Sequence, residues 1–382
     1  MSTDFVRVHH DALRDFIASA FQAEGLPAAD AMKVARLMAE ADLQGSDGHG
    51  VIRLVPYIKR IQQGGINKTP NIRVIHERAA SAVIHGDNGM GHLVVSQAVD
   101  LAIEKAKTAG VAWVGCRYSN HAGPASLYAR KPLEHDMLGL YFAVGNANHL
   151  PPWGGMDMLL STNPIAAGIP AGDEPPVVLD MATTVAAYGK VKVKAKRGEM
   201  MPEGWMIDRQ GKPLTDPKRA EEGFLLPIGE HKGYGLALMV GLLAGTLSGA
   251  AMGKDVIDFN ADFKTITNTG QAILVIDLSA FGDPADFKSR VDTLVRDMRN
   301  SARLPGVERI WLPGEQSRGK RHRYAEQGIP VPVAVKQDLD SRKPFTVAAW
   351  VYLPKEEQNF AVATKLDWVN KKESITQGWA FD

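Results

Sequence analysis

The 382-residue sequence predicts an α/β protein with a helical N-terminal part. Three observations predict it. Amphipathic stretches fill roughly the first 60 residues, and beyond them short apolar runs alternate with helical ones. The three-glycine turn G-x-G-x-x-G, which lets a backbone approach a pyrophosphate in the common dinucleotide fold, is missing. Gly89 and Gly91 are followed by His92, Leu93 and Val94, and Gly233-Tyr234-Gly235 lacks the third glycine.

In order along the chain, residues 10–21 place Leu13, Phe16, Ile17 and Phe21 on one helical face. A second run after Pro27 repeats the spacing with Ala31, Val34, Ala35, Met38 and Ala41. Strand-like runs follow at 82–84, 111–114, 138–144, 177–179 and 273–276, with a helix at 94–106 closed by Gly110. Pro202, Gly204, Gly211, Pro213 and Pro217 make residues 200–226 a long ordered surface loop. Helix returns at 283–298, and 345–353 and 360–364 read as two strands around a Pro-Lys-Glu-Glu turn. Three regions result: a helical part over 1–75 completed by about 285–340, an α/β core over 76–284 with a loop-rich insert near 200–226, and an atypical β-like extension over 341–382.

Hydrophobic residues at 45% and charged residues at 23% describe a folded, water-soluble chain rather than a disordered or fibrous one. Lys plus Arg (44) against Asp plus Glu (43) leaves a formal +1, so no global field draws it to nucleic acid or to a membrane, and neither is expected as a partner. Cys116 is the single cysteine, which excludes an intrachain disulfide and any cysteine-based metal site; no metal is expected. Residues 1–10 carry Asp4, Arg7 and two histidines without an apolar core, so no secretory signal is read there and the cytoplasm is the expected compartment. Residues 233–253 are uncharged over 21 positions, long enough to cross a bilayer, with glycines at 241, 245, 249 and 253. Small residues at every fourth position equally let another backbone come close in a core, and a buried helix is the expectation.

Four clusters combine a titratable or cationic group with glycines. In the first, DLQGSDGHGVIRL, His49 and Arg53 stand four apart; if helix restarts near His49 they share a face, a proton carrier beside a fork that grips a carboxylate. The same spacing also describes a surface pair at a capping turn. In the second, His121 follows a strand-like run inside Ser119-Asn120-His121-Ala122-Gly123, where open α/β sheets place ligands, although a lone histidine also serves structure. The third joins Ser161, Thr162 and Asn163 to Asp180-Met181-Ala182-Thr183-Thr184 and Tyr188-Gly189-Lys190, supplying hydroxyl and amide donors or an ordinary helix cap. The fourth, Gly229-Glu230-His231-Lys232-Gly233, puts an ammonium at a helix start, an anion clamp or a solvated lysine. Lys190, Lys192, Lys194, Lys196 and Arg197 add a basic run that reads as a phosphate contact or a wet face.

Taken in order, DLQGSDGHGVIRL, SNHAGPASLYA, LSTNPIAAGIP, VVLDMATTVAAYGKV, PEGWMID, LTDP, HKGYGLALMVGLLAGTLSG and LPGE resemble the type 2 malate/L-lactate dehydrogenase family from about residue 5 to about 340. That family also holds sulfolactate, ureidoglycolate and diketogulonate dehydrogenases and cyclic imine reductases. The resemblance implies a non-Rossmann NAD(P)-binding fold, a homodimer, and hydride transfer between NAD or NADP and C2 of a small 2-oxo or 2-hydroxy acid. It makes the helical part the site of substrate binding and dimerisation. It implies that His49 is the proton donor, that Arg53 binds the carboxylate, and that Thr162, Tyr188 and Gly189 line the substrate pocket. His121 is implied to face the cofactor with Ala122 and Gly123, and in some members to act in catalysis. Asp180, Met181, Ala182, Thr183, Thr184, His231, Lys232, Gly314, Glu315 and Gln316 match the remaining cofactor contacts.

Two positions depart from the family pattern. Gly48 stands where a serine usually precedes the catalytic histidine, removing a hydroxyl that orients or relays, with Ser46 the nearby alternative. Lys190 stands where imine reductases carry an acidic residue, which tilts the reading toward oxo acids and away from cyclic imino acids such as piperideine-2-carboxylate. A catalytically impaired cofactor binder is the other alternative. Beyond about 340 the resemblance ends.

Overall fold

The computed structural model describes residues 5–340 together with the strand segments 347–350 and 362–365. Strand β1 (Phe5–Val8) leads into helices α1 (His10–Ala23), α2 (Ala28–Leu43) and α3 (Leu54–Gln63). A β-rich stretch follows: β2 (Arg73–Glu77), β3 (Ser81–His85), α4 (Gly91–Ala109), β4 (Val111–Ser119), α5 (Ser126–Ala129), β5 (Met137–Ala143), β6 (Ile165–Ile169) and β7 (Val177–Met181). Then come α6 (Tyr188–Arg197), β8 (Met206–Asp208), β9 (Gly223–Leu225), α7 (His231–Ala244), β10 (Thr269–Asp277) and α8 (Pro284–Asn300). The chain closes with α9 (Glu315–Gln327), β11 (Ile329–Pro332), α10 (Val333–Asp340), β12 (Val347–Trp350) and β13 (Val362–Lys365). The last two pair antiparallel, Val347 opposite Lys365; the rest of the expected β-like extension lies outside the described residues.

Compactness divides the chain into one unit of residues up to Gln62 with those from Gln316 onward, and a second from Gln63 to Glu315. Helix α8 is fastened within the second unit. Its Asp292 accepts backbone N–H groups of Gly172, Asp173 and Glu174 at 3.0, 2.8 and 3.1 Å, and Arg299 pairs with Glu174 at 2.9 Å. The helix itself begins as its sequence dictates, with Asp283 accepting from the Ala285 N–H and Pro284 in the first turn.

In the first unit, α1 and α2 pack through the predicted faces: Leu13, Ile17 and Phe21 on one side, Val34, Ala35 and Met38 on the other, all buried. The Phe21 and Tyr57 rings, 6.3 Å apart, join α3 to this layer. β1 pairs antiparallel with β11.

The second unit is built on a seven-stranded sheet of order β2-β3-β4-β10-β5-β6-β7. Only β3 and β4 run parallel, with α4 as the crossover between them, so this is not the parallel sheet of the Rossmann architecture. α4 ends at Gly110, whose φ of +77° any side chain would strain. Ile84, Val94, Val99, Val114, Cys116 and Ile273 form the core between helix and sheet.

Two expectations need correction. Residues 200–226 are not merely a loop: β8 and β9 pair there, and Met201, Met206, Leu214, Ala220 and Leu225 enclose a small core with Val191 of α6. Turn formers at the corners concealed strands of only 3 residues each. The uncharged 233–253 segment is also not one buried helix. α7 stops at Ala244, and small residues (Gly233, Ala237, Gly241, Ala244) face inward while Met239, Leu242 and Leu247 remain 54%, 39% and 62% exposed. Among the described residues, no helix is long and apolar enough to cross a membrane.

Candidate functional site

Within the first unit the site segment is a turn rather than the start of an α-helix. Residues Val51–Arg53 form one 3-10 turn, so His49 and Arg53 are brought together by the bend and not by helical spacing. The bend is held from below by Asp42, which is buried and accepts the Val51 N–H at 2.7 Å. A Cβ at Gly50 would lie 1.9 Å from that carboxylate, so only glycine fits. Burial pushes the Asp42 carboxyl well above the usual range, and Asp47 adds to the effect. Burial, then the Arg53 charge, holds the His49 imidazole down to about 4, leaving it neutral near pH 7. Burial also lowers Arg53, whose Nε donates to the Gly48 carbonyl at 2.7 Å. Nothing stands within 4 Å of a Cβ built on Gly48, so the missing hydroxyl leaves open space. Ser46 acts through its backbone, its carbonyl accepting the His49 N–H at 2.8 Å.

Within the second unit the loops bearing His121, Thr162 and Thr183 collect at one end of the sheet, while Gly314 lies against Val178, toward the other end of β7. Strand directions put the C-terminal ends of β4, β5 and β7 together with the N-terminal ends of β6 and β10. From β4 comes His121, whose Nδ1 accepts the Gly123 N–H at 3.4 Å and whose ring lies 5.8 Å from that of Phe259. Tyr128 donates its hydroxyl to the Ala122 carbonyl, at 2.5 Å. The loop is anchored by buried Asn120, which donates to Asn88 Oδ1 at 3.0 Å and the Gly89 carbonyl at 2.9 Å, and takes a bond from Thr267 at 3.2 Å.

From β6 and β7 come the hydroxyl-rich segments. The Thr162 carbonyl accepts both the N–H and the hydroxyl of Thr183 at 2.9 Å, tying the two clusters together. Thr184 donates to the Ala186 carbonyl at 2.9 Å. Met181 ends β7 and Ala182 follows it, both half-buried. Asp180 accepts the Ser126 N–H at 2.8 Å. Desolvation lifts its carboxyl above the usual range, against the Ser126 bonds and the Arg130 charge. Tyr188 opens α6, with Gly189 beside it in open space.

His231 and Lys232 occupy the first turn of α7, and no side chain caps that terminus. Glu230, which precedes it, is held at a φ of +58°, a conformation costly to a residue with a Cβ. An open helix N-terminus carrying an ammonium fits a phosphate, and this is where a dinucleotide's charge would be met. Gly314 passes close to Val178, its φ of +89° again requiring glycine. Glu315 is spoken for: Arg299 at 2.9 Å, Arg309 at 3.2 Å and the Leu312 N–H at 3.3 Å take its buried carboxylate, so that segment offers a ligand backbone rather than charge. Gln316 is exposed and begins the second stretch of the first unit.

Sequence reasoning missed His149, whose ring stacks on Tyr188 with centroids 4.1 Å apart and planes 12° apart. Its signal was available, since only Leu150 separates it from Pro-Pro-Trp-Gly-Gly in the loop leaving β5. That same loop sends Trp153 edge-on to His231 at 6.4 Å. Among the described residues, one group of metal-type ligands appears, His9, His10 and Asp11, with ligand atoms within 4.8 Å of one another; Arg14 already holds Asp11.

The family model described as malate/L-lactate dehydrogenase matches residues 8–340. The malate dehydrogenase of Pyrococcus horikoshii is 38% identical over 346 residues, covering 88% of this chain and 94% of that protein. Its solved structure superposes with a TM-score of 0.81 at 35% identity, covering 89% and 95% of the two chains. The L-sulfolactate dehydrogenase of Methanocaldococcus jannaschii is 38% identical over 300 residues, 78% of this chain and 86% of that one. The NAD(+) ureidoglycolate dehydrogenase of Escherichia coli K12 is 30% identical over 336 residues, 88% and 95% of the two.

Proposed function

Because the chain belongs to the malate/L-lactate dehydrogenase family, we propose that it is an oxidoreductase acting on a small 2-hydroxy acid and its 2-oxo partner with a nicotinamide dinucleotide. One observation carries the reading. The clusters that resemble the family stand in order inside the matched residues, and those of His121, Thr162 and Thr183 gather at the loop-bearing end of one sheet.

The bound nicotinamide supplies or takes up the hydride; everything else falls to the chain's own side chains. Lys232 and the open N-terminus of α7 hold phosphate, and the backbone of residues 180–184 and of Gly314 lines the rest of the dinucleotide's path. Thr162, fixed through its carbonyl to Thr183, turns its hydroxyl to the substrate. In the first unit, Arg53 binds the carboxylate as a two-pronged donor. His49, neutral near pH 7, accepts the hydroxyl proton as the acid is oxidised and returns it in the reverse direction. His121 contacts the cofactor; a catalytic part for it is the competing assignment. NAD and NADP both remain candidate cofactors, and the name of the E. coli relative favours NAD.

We further place the protein in the cytoplasm as a homodimer. Met239 and Leu242 on α7 and Leu247 in the turn after it support the second point, since three exposed large apolar side chains suit burial against a second copy. Light scattering giving a monomer mass would overturn it.

The test of the activity crosses NADH and NADPH with pyruvate, oxaloacetate, sulfopyruvate, 2-oxoglutarate and piperideine-2-carboxylate, following reduced-nicotinamide absorbance. Turnover with an oxo acid is the expected result and fixes the cofactor. Turnover with the imine alone would make the protein an imino acid reductase. Cofactor binding without any turnover would make it an impaired binder, with Gly48 the first suspect.

A further inference from the structure

At its C-terminal end β4 falls out of register with β10. Gln271 pairs with Cys116 and Thr269 with Ser119, so two residues of β4, Arg117 and Tyr118, stand where β10 has Gly270 alone. This is a β-bulge, and within it Tyr118 holds a φ of +50°, a costly conformation for a bulky side chain. A bulge turns the chain that follows it and breaks the ladder of backbone bonds. The chain that follows this one is Ser119-Asn120-His121.

Side chains of β10 and of the two residues before it replace the interrupted ladder. Asn268 Oδ1 accepts the Tyr118 N–H at 2.8 Å. Thr267 donates its hydroxyl to the Ser119 carbonyl at 3.0 Å, sharing it with Asn120 Oδ1 at 3.2 Å, and Gln271 Nε2 donates to the Asn120 carbonyl at 2.8 Å. The three consecutive residues before His121 are thus gripped by three different side chains, of which Thr267 and Gln271 are buried. On the other side, the Asn88 N–H donates to the Tyr118 carbonyl at 2.8 Å. There α4 also presses close, since a Cβ on its first residue, Gly91, would lie 2.0 Å from the Asn120 carbonyl.

The same bonds continue to the ring of His121. Thr267 accepts from the Thr269 hydroxyl at 3.0 Å, and Thr269 accepts from Asn146 Nδ2 at 2.7 Å. The Asn146 carbonyl takes the Phe259 N–H at 2.9 Å, and the buried Phe259 ring lies 5.8 Å from that of His121. One connected set of contacts therefore holds His121 at its backbone and beside its imidazole. A buried polar chain with its links filled fixes a single arrangement, and a strained residue kept at its centre points to a function for that arrangement.

We propose that Thr267 and Gln271 are positioning residues that act through His121, holding it for its contact with the nicotinamide dinucleotide. This rests on the reading that His121 faces the cofactor.

The experiment compares wild type with Thr267→Val, which keeps the shape and removes the hydroxyl, Thr267→Ser, which keeps the hydroxyl, and Gln271→Met. Each is made alone and together with His121→Ala, NADH affinity is read from nicotinamide fluorescence, and Tm is followed in parallel. Thr267→Val and Gln271→Met are each expected to weaken NADH binding roughly 5- to 100-fold, the cost of a buried group left without its partner, and Thr267→Ser to stay within about twofold of wild type. In the His121→Ala background the same changes should add less than about twofold, because their effect passes through a ring that is gone. Equal losses in both backgrounds, or a serine variant as weak as the valine one, would make the clamp a matter of stability alone and overturn the proposal, with the contact of His121 intact. NADH affinity unchanged in His121→Ala alone would overturn the reading of His121, and the proposal with it.

Discussion

The turn around His49 and the loop around His149 present the same titration for different reasons. Both imidazoles are held near 4, and burial is the largest cause in each. Around His49 the like charge of Arg53 adds to the burial, and the backbone is propped by a buried carboxylate under the Val51 N–H. Around His149 an acid and a base pull in opposite directions, and the backbone is held by ordinary bridging between Leu150 and Leu160. A depressed histidine pKa therefore does not assign a role. The neighbours do: a guanidinium that can grip a carboxylate marks the first, and a stacked tyrosine ring marks the second.

The widest split between the two is expected in turnover. His49→Ala should lower kcat roughly 100- to 10,000-fold, the usual worth of general acid–base catalysis, while His149→Phe, which keeps an aromatic ring on Tyr188, should lower it less than about tenfold. Steady-state kinetics on both variants would exchange the roles if His149→Phe lost kcat on that scale and His49→Ala did not. Next in size, Arg53→Ala should raise KM for the acid roughly 10- to 100-fold, with kcat falling too if the grip tightens in the transition state. An unchanged KM would remove Arg53 from the carboxylate.

The prop beneath His49 gives a third contrast. Gly50→Ala forces a methyl onto the Asp42 carboxylate and should cost about 1–3 kcal/mol in thermal unfolding. Gly48→Ser, two residues away in open space, should stay within about 0.5 kcal/mol. If the absent hydroxyl matters, Gly48→Ser should also raise kcat; no change would clear Gly48 of impairing the enzyme.

The smallest effect is shared by both histidines. Each takes up its proton more readily unfolded, at about 6.5, than folded, at about 4. The unfolded chain thus binds more protons between those values, and stability should fall as pH drops from 6.5 toward 4. Over the same range kcat/KM for hydroxy-acid oxidation should be flat above about pH 5 and decline below it. Replacing one histidine should remove its share of the stability slope in denaturant titrations; a slope unchanged in both variants would contradict the burial of these rings.

Local features were legible because their causes are local. Leu13, Ile17 and Phe21 could be placed on one buried face from spacing alone, since a helix repeats within a few residues. The missing glycine turn and the non-Rossmann fold that the resemblance implied agree with a sheet in which only β3 and β4 run parallel. Hidden were features made by partners distant in sequence. The strands at Met206–Asp208 and Gly223–Leu225 are too short to show alternation, and each exists because the other is there. The most apolar stretch of the chain left Met239 and Leu242 outside, because its glycine and alanine stripe is what fits against the fold. His149 escaped notice because nothing in its own neighbourhood announces Tyr188.

By itself, the sequence determined the α/β character, the helical start, the order of the chemical clusters and the family. Which clusters meet was decided only by the tertiary structure. β10 enters the sheet between β4 and β5, so that Gln271 pairs with Cys116 on one side and Ala143 on the other. That insertion spaces the loops bearing His121 and His149, and the antiparallel return of β6 and β7 brings Thr162 to Thr183. Periodicity is set within a few residues of chain, whereas a strand's partner is chosen by the apolar surface and backbone hydrogen bonds the whole sheet can satisfy, and that choice has no local signature.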